Sequence, residues 1–338
     1  MREPAFWWRG AGLPAALLSP VAAIYGAVAG RRLAGCGRRA GAPVVCIGNP
    51  TVGGAGKTPL AMAVARLLQA AGEQPVLLSR GYGGNLAGPI RVDGVLHDAA
   101  AVGDEPLLLA RSAPTIVARD RVKGADAATA AGASVIVMDD GFQNPSLQKD
   151  FSVLAIDGRR GIGNGRVIPA GPLRAPFDRQ LQQAHAVVIV GTDTSATAVV
   201  AQARSPEIPV FQGRLIPDPD FIAALGGGRA LAFAGIADPE KFFATLRQAG
   251  IAVAATQGFP DHHRYTRSEA QALCDHADRE GLVLVTTEKD AARLQGDAAV
   301  AELFTRAHAL PVTLVFDDEM AFRALLLERV AAARKDRG

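Results

Sequence analysis

The stretch that decides the fold of this 338-residue chain is PVVCIGNPTVGGAGKTPLAMAVARLLQAA, residues 43–71. Residues 43–48 form a short apolar run that predicts a buried strand. Residues 57–71 are predicted as the helix that follows, and the loop between them is rich in glycine and closes with Gly-Lys-Thr. A strand, a glycine loop and a helix in this order are typical of a phosphate-binding loop.

This loop predicts a site for ATP and Mg²⁺. Its glycines let backbone amides turn toward phosphate oxygens, Lys57 would neutralise the β and γ phosphates, and the Thr58 hydroxyl would ligate Mg²⁺. The strict pattern G-x-x-x-x-G-K-[ST] fails at its first position, which is Thr51, so the alternative is a glycine turn with a chance lysine. The predicted nucleotide-binding residues are Thr51, Gly53, Gly54, Ala55, Gly56, Lys57 and Thr58.

Further apolar runs repeat the strand–loop–helix order and predict a mostly parallel sheet. They are residues 75–79, 114–118, 134–138, 151–156 and 186–190. A second series of strands and helices begins at residue 230. Its predicted strands are 230–234, 251–256, 282–286 and 311–316, and a terminal helix is predicted at 319–333.

The predicted fold class is α/β: a P-loop NTPase-like, mostly parallel sheet domain, a second and smaller α/β domain, and an N-terminal membrane-associating helical segment. Residues 204–220 contain four prolines, which indicate an extended connection between the domains. The predicted boundaries are 1–35 for the membrane-associating segment, 36–205 for the P-loop domain, 206–220 for the linker and 221–338 for the smaller domain.

Composition narrows the function classes. With 49% hydrophobic and 20% charged residues, the chain is not an intrinsically disordered protein. Its three cysteines form no C-x-x-C pair and its six histidines lack metal-ligand spacing, so neither a disulfide framework nor a zinc site is expected. That cysteine usage suits a reducing cytosol.

The charge is unevenly distributed. Residues 1–40 hold six arginines and one acid, a net +5, whereas the other residues hold 30 basic and 32 acidic groups, a net −2. A nucleic-acid binder usually spreads its basic surface over the domain, so this class is disfavoured. A basic end suits an anionic membrane surface.

The basic end surrounds an uncharged run at residues 10–30, preceded by Trp7 and Trp8. We favour a broken amphipathic segment in the membrane interface, with the tryptophans at headgroup depth, because Pro14 and Pro20 interrupt the run. The alternatives are a spanning helix or signal peptide, and an ordinary helix packed on the body.

Carboxylates mark two more candidate sites. Asp139 and Asp140 follow the strand at 134–138, where a P-loop sheet presents its Mg²⁺-coordinating acid. Asp104 and Glu105 stand at a predicted helix start, where they could simply be caps. The segment FPDHHRY at 259–265 is a dense polar cluster after a strand, and the glycine-rich, cationic loop at 161–174 could bind a phosphate or merely cross the surface.

Taken in order, these motifs resemble the tetraacyldisaccharide 4′-kinases, the lipid A 4′-kinase family, over nearly the whole chain. The motifs are GN-x-x-x-GG-x-GKTP at 48–59, SRGYGG at 79–84, GDEP at 103–106, R-x-R-x-x-G at 119–124, DDGFQ at 139–143, GNGRVIPAGPLR at 163–174, FPDHH at 259–263 and TTEKDAARL at 286–294. Thr51 is itself part of the family pattern. Asn144 departs from it, because DDGFQ is usually followed by histidine.

The resemblance implies transfer of the ATP γ-phosphoryl group to the 4′-hydroxyl of a tetraacyldisaccharide 1-phosphate, which yields lipid IVA. It implies Asp104 as the base, with His262 pairing with it on domain closure and Lys57 as a further catalytic residue. The predicted metal ligands are Thr58, Glu105, Asp139 and Asp140. The residues predicted to contact the substrate are Arg119, Arg121, Gln143, Asn164 and Arg174.

The expected partners are the lipid substrate and the inner-membrane surface, with no nucleic acid and no obligate protein partner indicated. The chain is expected at the cytoplasmic face of the inner membrane, as a peripheral or monotopic protein. Two other functions remain as alternatives: a membrane-associated P-loop ATPase that switches another protein, and a cytosolic ligase-type P-loop enzyme. The switch ATPase does not explain GDEP together with FPDHH, and the basic N-terminal anchor argues against the cytosolic ligase.

Overall fold

The structure is a computed structural model and describes residues 3–10, 12–191, 201 and 208–337. The strands are β1 Val44–Gly48, β2 Pro75–Ser79, β3 Ile90–Arg91, β4 Thr115–Val117, β5 Val135–Asp139, β6 Phe151–Asp157, β7 Ala186–Val190, β8 Val210–Pro217, β9 Ala230–Ala234, β10 Val253–Gly258, β11 Val283–Thr287, β12 His308–Leu310 and β13 Val312–Phe316. The helices are α1 Leu13–Leu33, α2 Lys57–Ala70, α3 Ala99–Val102, α4 Asp104–Leu109, α5 Arg121–Ala130, α6 Phe177–Leu181, α7 Pro219–Ala224, α8 Pro239–Gln248, α9 Arg267–Glu280, α10 Glu288–Leu294, α11 Ala301–Arg306 and α12 Glu319–Lys335.

A nine-stranded sheet with the order β13-β8-β7-β6-β1-β5-β2-β4-β3 forms the larger unit. Its strands pair in parallel except at the two edges, where β3 and β13 run antiparallel to their neighbours. The central strand β1 is buried along its whole length. Val45 and Ile47 pack in the core that contains α2, and Val44 and Cys46 pack in the core on the opposite face. Helices on both faces explain why these strands are apolar throughout rather than alternating.

A smaller, fully parallel sheet with the order β10-β9-β11-β12 forms the second unit. Its helix α9 begins with a capping box, in which Thr266 and Glu269 satisfy each other's backbone amides. The two α/β units confirm the predicted fold class.

The extended connection predicted over residues 206–220 was wrong, because residues 210–217 form β8 of the large sheet. β8 pairs in parallel with β7 and antiparallel with β13. Pro209 and Pro217 lie outside or at the end of the strand, so they remove no ladder hydrogen bond from its interior. The predicted boundary at residue 205 lies outside the described residues.

The predicted smaller domain, 221–338, was also too long at its C-terminal end. β13 and α12 return to the large unit, where Phe316, Phe322 and Leu326 join the core that contains α2. The physical reason is that the apolar side chains of α12 are buried against the large sheet, which local sequence pattern alone does not specify.

The N-terminal run forms one continuous helix, α1, so the expectation of a broken segment was wrong. Pro20 lies inside the helix, where it removes a single backbone donor, and Pro14 lies in the first turn, where no donor is needed. The helix is 21 residues long and contains an 18-residue stretch with a mean hydropathy of 1.6, so its length and composition are enough to cross a membrane. Six of its large apolar side chains are exposed: Leu13, Leu17, Val21, Ile24, Tyr25 and Val28.

Candidate active site

The loop between β1 and α2 has the geometry of a phosphate cradle. Gly53 and Gly56 adopt positive φ angles of 92° and 80°. A Cβ at Gly56 would lie 3.0 Å from the Val190 side chain, so the turn requires glycine. Lys57 is buried, and its Nζ donates to Asn49 Oδ1 at 3.0 Å. The loop therefore presents backbone amides and a lysine at the N-terminus of a 14-residue helix.

Two aspartates meet this loop because β5 is the parallel neighbour of β1, with Asp139 in register with Ile47. The Thr58 hydroxyl donates to Asp139 Oδ2 at 3.4 Å, and Asp139 Oδ1 has no hydrogen-bond partner among the described residues. Asp140 has a positive φ of 51°, and its Oδ1 lies 3.7 Å from Lys57 Nζ. The two adjacent carboxylates thus have different partners.

The surroundings of Asp139 fit a divalent cation. Burial and the nearby negative charge of Glu105 raise the pKa of Asp139 to about 7. A bound cation would oppose this rise in pKa, and the unpartnered oxygen would be one of its ligands. Among the described residues, no cluster of three or more His, Cys, Asp or Glu side chains could hold a metal alone. Mg²⁺ commonly takes one or two protein carboxylates and completes its shell with phosphate and water oxygens.

Asp104 is the most heavily engaged acid of the site. It begins α4, is 3% exposed, and accepts a hydrogen bond from the Glu105 amide through Oδ1 at 2.9 Å. Two side chains from the second unit meet its other oxygen: His262 Nδ1 lies 3.3 Å from Oδ2, and Arg293 Nε donates to Oδ2 at 2.7 Å. Burial would raise the pKa of Asp104, but the His262 hydrogen bond and the Arg293 charge outweigh it and hold this pKa well below its usual range. The predicted contact between Asp104 and His262 is present.

The two histidines of FPDHH have different surroundings. Burial would lower the pKa of His262, but the hydrogen bond and charge of Asp104 raise it overall. His263 instead bonds to Glu269 at 3.0 Å and stacks on Phe259. Only His262 therefore faces the acid of the first unit.

Glu105 lies beside Asp104 and pairs with Lys289 Nζ at 2.6 Å. Burial would raise the pKa of Glu105, but the charges of Lys289 and Lys57 lower it below its usual range. Because Glu105 Oε1 is engaged by Lys289, Glu105 would have to use its other oxygen or release the lysine to ligate Mg²⁺. Asp139 meets no such competition.

This geometry agrees with comparisons to known proteins. The family model of the tetraacyldisaccharide-1-P 4′-kinases, LpxK, matches residues 14–331. The chain belongs to this family. A tetraacyldisaccharide 4′-kinase of Rhodopseudomonas palustris strain BisA53 is 54% identical over 337 residues, which cover 100% of this chain and 98% of that protein. One from Bradyrhizobium sp. strain BTAi1 is 52% identical over 335 residues, covering 99% and 97%.

A solved structure gives the same result for the fold. The LpxK crystal structure from Aquifex aeolicus in complex with ATP has a TM-score of 0.72 and 27% identity, and the match covers 94% of this chain and 99% of that one. The chain is therefore an ATP-dependent 4′-kinase of lipid A biosynthesis. The sequence-based predictions of family, enzyme class, lipid substrate, and ATP with Mg²⁺ are confirmed.

Three of the five predicted substrate residues lie at this kinase site. Arg174 Nη1 donates to Asp140 Oδ1 at 3.0 Å, and its Nε donates to the Thr51 carbonyl at 3.0 Å. Gln143 Nε2 donates to the Asn49 carbonyl at 2.9 Å. Arg121 is buried, its Nε has no partner among the described residues, and the charges of Asp139 and Asp140 reach it.

The other two lie elsewhere. Arg119 is exposed and donates to the carbonyls of Gly84 and Asn85. Asn164 donates to the carbonyls of Phe6 and Ala170 and so holds its loop and the N-terminal segment together. In this structure their side chains serve local architecture rather than the phosphate loop.

Sequence reasoning gave no role to Lys289 and Arg293, although it quoted their motif. These residues are four positions apart on α10, so both side chains lie on one face of the helix, toward Asp104 and Glu105. The spacing of a lysine and an arginine in TTEKDAARL was the available signal, but only the tertiary structure shows which acids they meet.

Proposed function

We propose that Asp104 accepts the proton of the lipid's 4′-hydroxyl as that oxygen attacks the γ phosphorus of ATP. The observation that carries the proposal is that Asp104, held by His262 and Arg293, begins α4, which packs against α2, the helix that follows the phosphate loop. The charge of Lys57 reaches Glu105, the next residue along the chain. As the new O–P bond forms, the bond from the γ phosphorus to the bridging oxygen breaks, ADP leaves, and the hydroxyl proton passes to the carboxylate.

The phosphate loop holds ATP in this proposal. Backbone amides from Gly53 to Gly56 and the Lys57 ammonium bind the phosphates. Asp139 and the Thr58 hydroxyl would hold Mg²⁺, which supplies positive charge against the phosphate oxygens when bound. Asp140 holds Lys57 and Arg174 in place through its ion pairs.

A carboxylate that is ionised at neutral pH can accept the proton in this reaction. Phosphoryl transfer has a loose transition state, so catalysis rests mainly on positioning and charge, and kinases commonly use an aspartate to accept the hydroxyl proton. Asp104 stays ionised at neutral pH because His262 and Arg293 stabilise its charge. The unpartnered Nε of buried Arg121 supports Arg121, rather than Arg119, as a contact to an anionic group of the substrates.

We further propose that α1 places the site at the inner-membrane surface, on its cytoplasmic face. The segment before α1 contacts the kinase loops: Trp7 Nε1 donates to the Pro169 carbonyl at 3.1 Å, and Glu3 pairs with Arg160 at 2.8 Å. Glu3 also lies against Gly53 of the phosphate loop. An acceptor with four acyl chains stays in the bilayer, so an anchor that adjoins the phosphate loop would bring that loop to the lipid headgroup.

The test of the base is phosphate transfer from labelled ATP to the tetraacyldisaccharide 1-phosphate in detergent micelles. We expect Asp104→Asn to lower kcat by about 10²–10⁴-fold, the usual contribution of a positioned acid or base. Asp126→Ala, which removes an exposed carboxylate paired with Arg38, is the control. An Asp104→Asn enzyme as fast as this control would refute the role of Asp104.

A further inference from the structure

Arg293 lies between two buried carboxylates, those of Asp104 and Asp290. Its side chain is 6% exposed; Nε donates to Asp104 Oδ2 at 2.7 Å, and Nη1 donates to Asp290 Oδ1 at 2.8 Å. Asp290 is itself fully buried and accepts hydrogen bonds from Tyr265 and Thr287. The planar guanidinium is therefore fixed on one side by an acid of its own unit and presents its other side to the acid of the first unit.

The Gly235 carbonyl bonds to both residues that reach Asp104. It accepts from Arg293 Nη1 at 2.6 Å and from the His262 backbone amide at 3.1 Å. His262 adopts a positive φ of 55°, a conformation that a non-glycine residue keeps only when its surroundings impose it. A Cβ at position 235 would lie 3.0 Å from Asp290 Oδ1 and 3.3 Å from Arg293 Nη1, so a larger residue would crowd this close approach.

The two oxygens of the Asp104 carboxylate have different hydrogen-bond partners. Oδ2 takes both Arg293 and His262, whereas among the described residues Oδ1 accepts a hydrogen bond only from the Glu105 amide. A carboxylate oxygen has two lone pairs, so Oδ1 keeps one for a substrate hydroxyl. Because Arg293 and His262 hold Oδ2 in place, they also set the direction of the free lone pair on Oδ1.

We propose that Arg293, clamped by Asp290, is a positioning residue that orients the Asp104 carboxylate toward the acceptor hydroxyl. Arg293 acts through Asp104 and does not touch the reacting atoms. The inference rests on the proposed role of Asp104 as the base. It adds that the second unit holds this catalytic base through a guanidinium as well as through His262.

The test compares Arg293→Ala with Arg111→Ala. Arg111, two residues beyond the end of α4, pairs at 3.4 Å with Glu288, the first residue of α10, so its loss removes an ion pair near the same interface without touching Asp104. We expect Arg293→Ala to lower kcat about 100-fold, the usual effect of misplacing a catalytic group, while the KM for ATP stays within about threefold. We expect millimolar guanidinium ion to restore at least part of the lost kcat in Arg293→Ala, and to restore nothing in Asp104→Asn.

Three results would contradict these expectations, and each has a distinct meaning. If kcat of Arg293→Ala stays within threefold of the Arg111→Ala control, or falls without any response to guanidinium, Arg293 has no positioning role. If Arg293→Ala does not fold, Arg293→Lys serves instead: it keeps the charge but lacks the planar fork, and wild-type kcat in this variant would overturn the inference. Full activity in Asp104→Asn would instead overturn the proposed base, which is a separate result.

Discussion

Replacing Phe322 with alanine tests whether the C-terminal helix completes the kinase unit. Phe322 is fully buried, stacks on Phe316 with ring centroids 4.2 Å apart, and meets Phe211 edge-on at 5.1 Å. Truncating a buried Phe costs about 3–5 kcal/mol, and such aromatic pairs favour the upper part of that range. We therefore expect Phe322→Ala to lower the free energy of unfolding of the large unit by about 4 kcal/mol.

The assay is urea unfolding followed by the fluorescence of Trp7 and Trp8, the only tryptophans of the chain. Both report on the large unit, because Trp7 bonds to Pro169 and the Trp8 ring lies over Arg160 at 4.6 Å. With an m-value of about 3 kcal/mol/M, the urea midpoint should fall by roughly 1 M or more.

Met320→Ala is the matched control, since Met320 lies on the same helix and is 84% exposed. It should change the free energy of unfolding by less than about 0.5 kcal/mol. A Phe322→Ala variant within about 1 kcal/mol of this control would refute the assignment of α12 to the core of the large unit, which requires a cavity cost at this position.

Two further predictions concern His262 and α1. The imidazole pKa of His262, followed by NMR in the nucleotide-free protein, should fall in Asp104→Asn, because Asp104 raises it. The stability contributed by this pair is fully present below the unfolded-state imidazole pKa of about 6.5, and it is lost as pH rises through the folded-state pKa. A His262 pKa that is the same in Asp104→Asn and in the unaltered protein would show that the pair is not formed. Ile24→Glu, at a side chain 70% exposed on α1, should weaken binding to anionic vesicles and slow turnover there, since a charge within a bilayer costs about 2.5–3.5 kcal/mol. Met320→Glu should do neither, and equal vesicle binding of the two variants would count against the membrane-facing role of α1.

The phosphate loop was predictable because its chemistry is local. A glycine turn between a buried strand and a helix brings Gly53, Gly56, Lys57 and Thr58 together within a few residues, whatever the rest of the chain does. Asp139 was predictable for a related reason, since neighbouring parallel strands end at the same edge of a sheet. The capping box at Thr266 is local in the same sense.

The sequence by itself determined the P-loop, the two α/β units and the presence of an uncharged N-terminal segment, because each depends on residue spacing over one or two elements. Only the tertiary structure decided that β8 and β13 join the large sheet and that α12 packs against it. Strand pairing and burial join segments that are distant along the chain. The tertiary structure also decided that Arg293 and Lys289 meet Asp104 and Glu105, more than 180 residues earlier. Such ion pairs depend on how the two sheets face each other, and no local pattern encodes that arrangement.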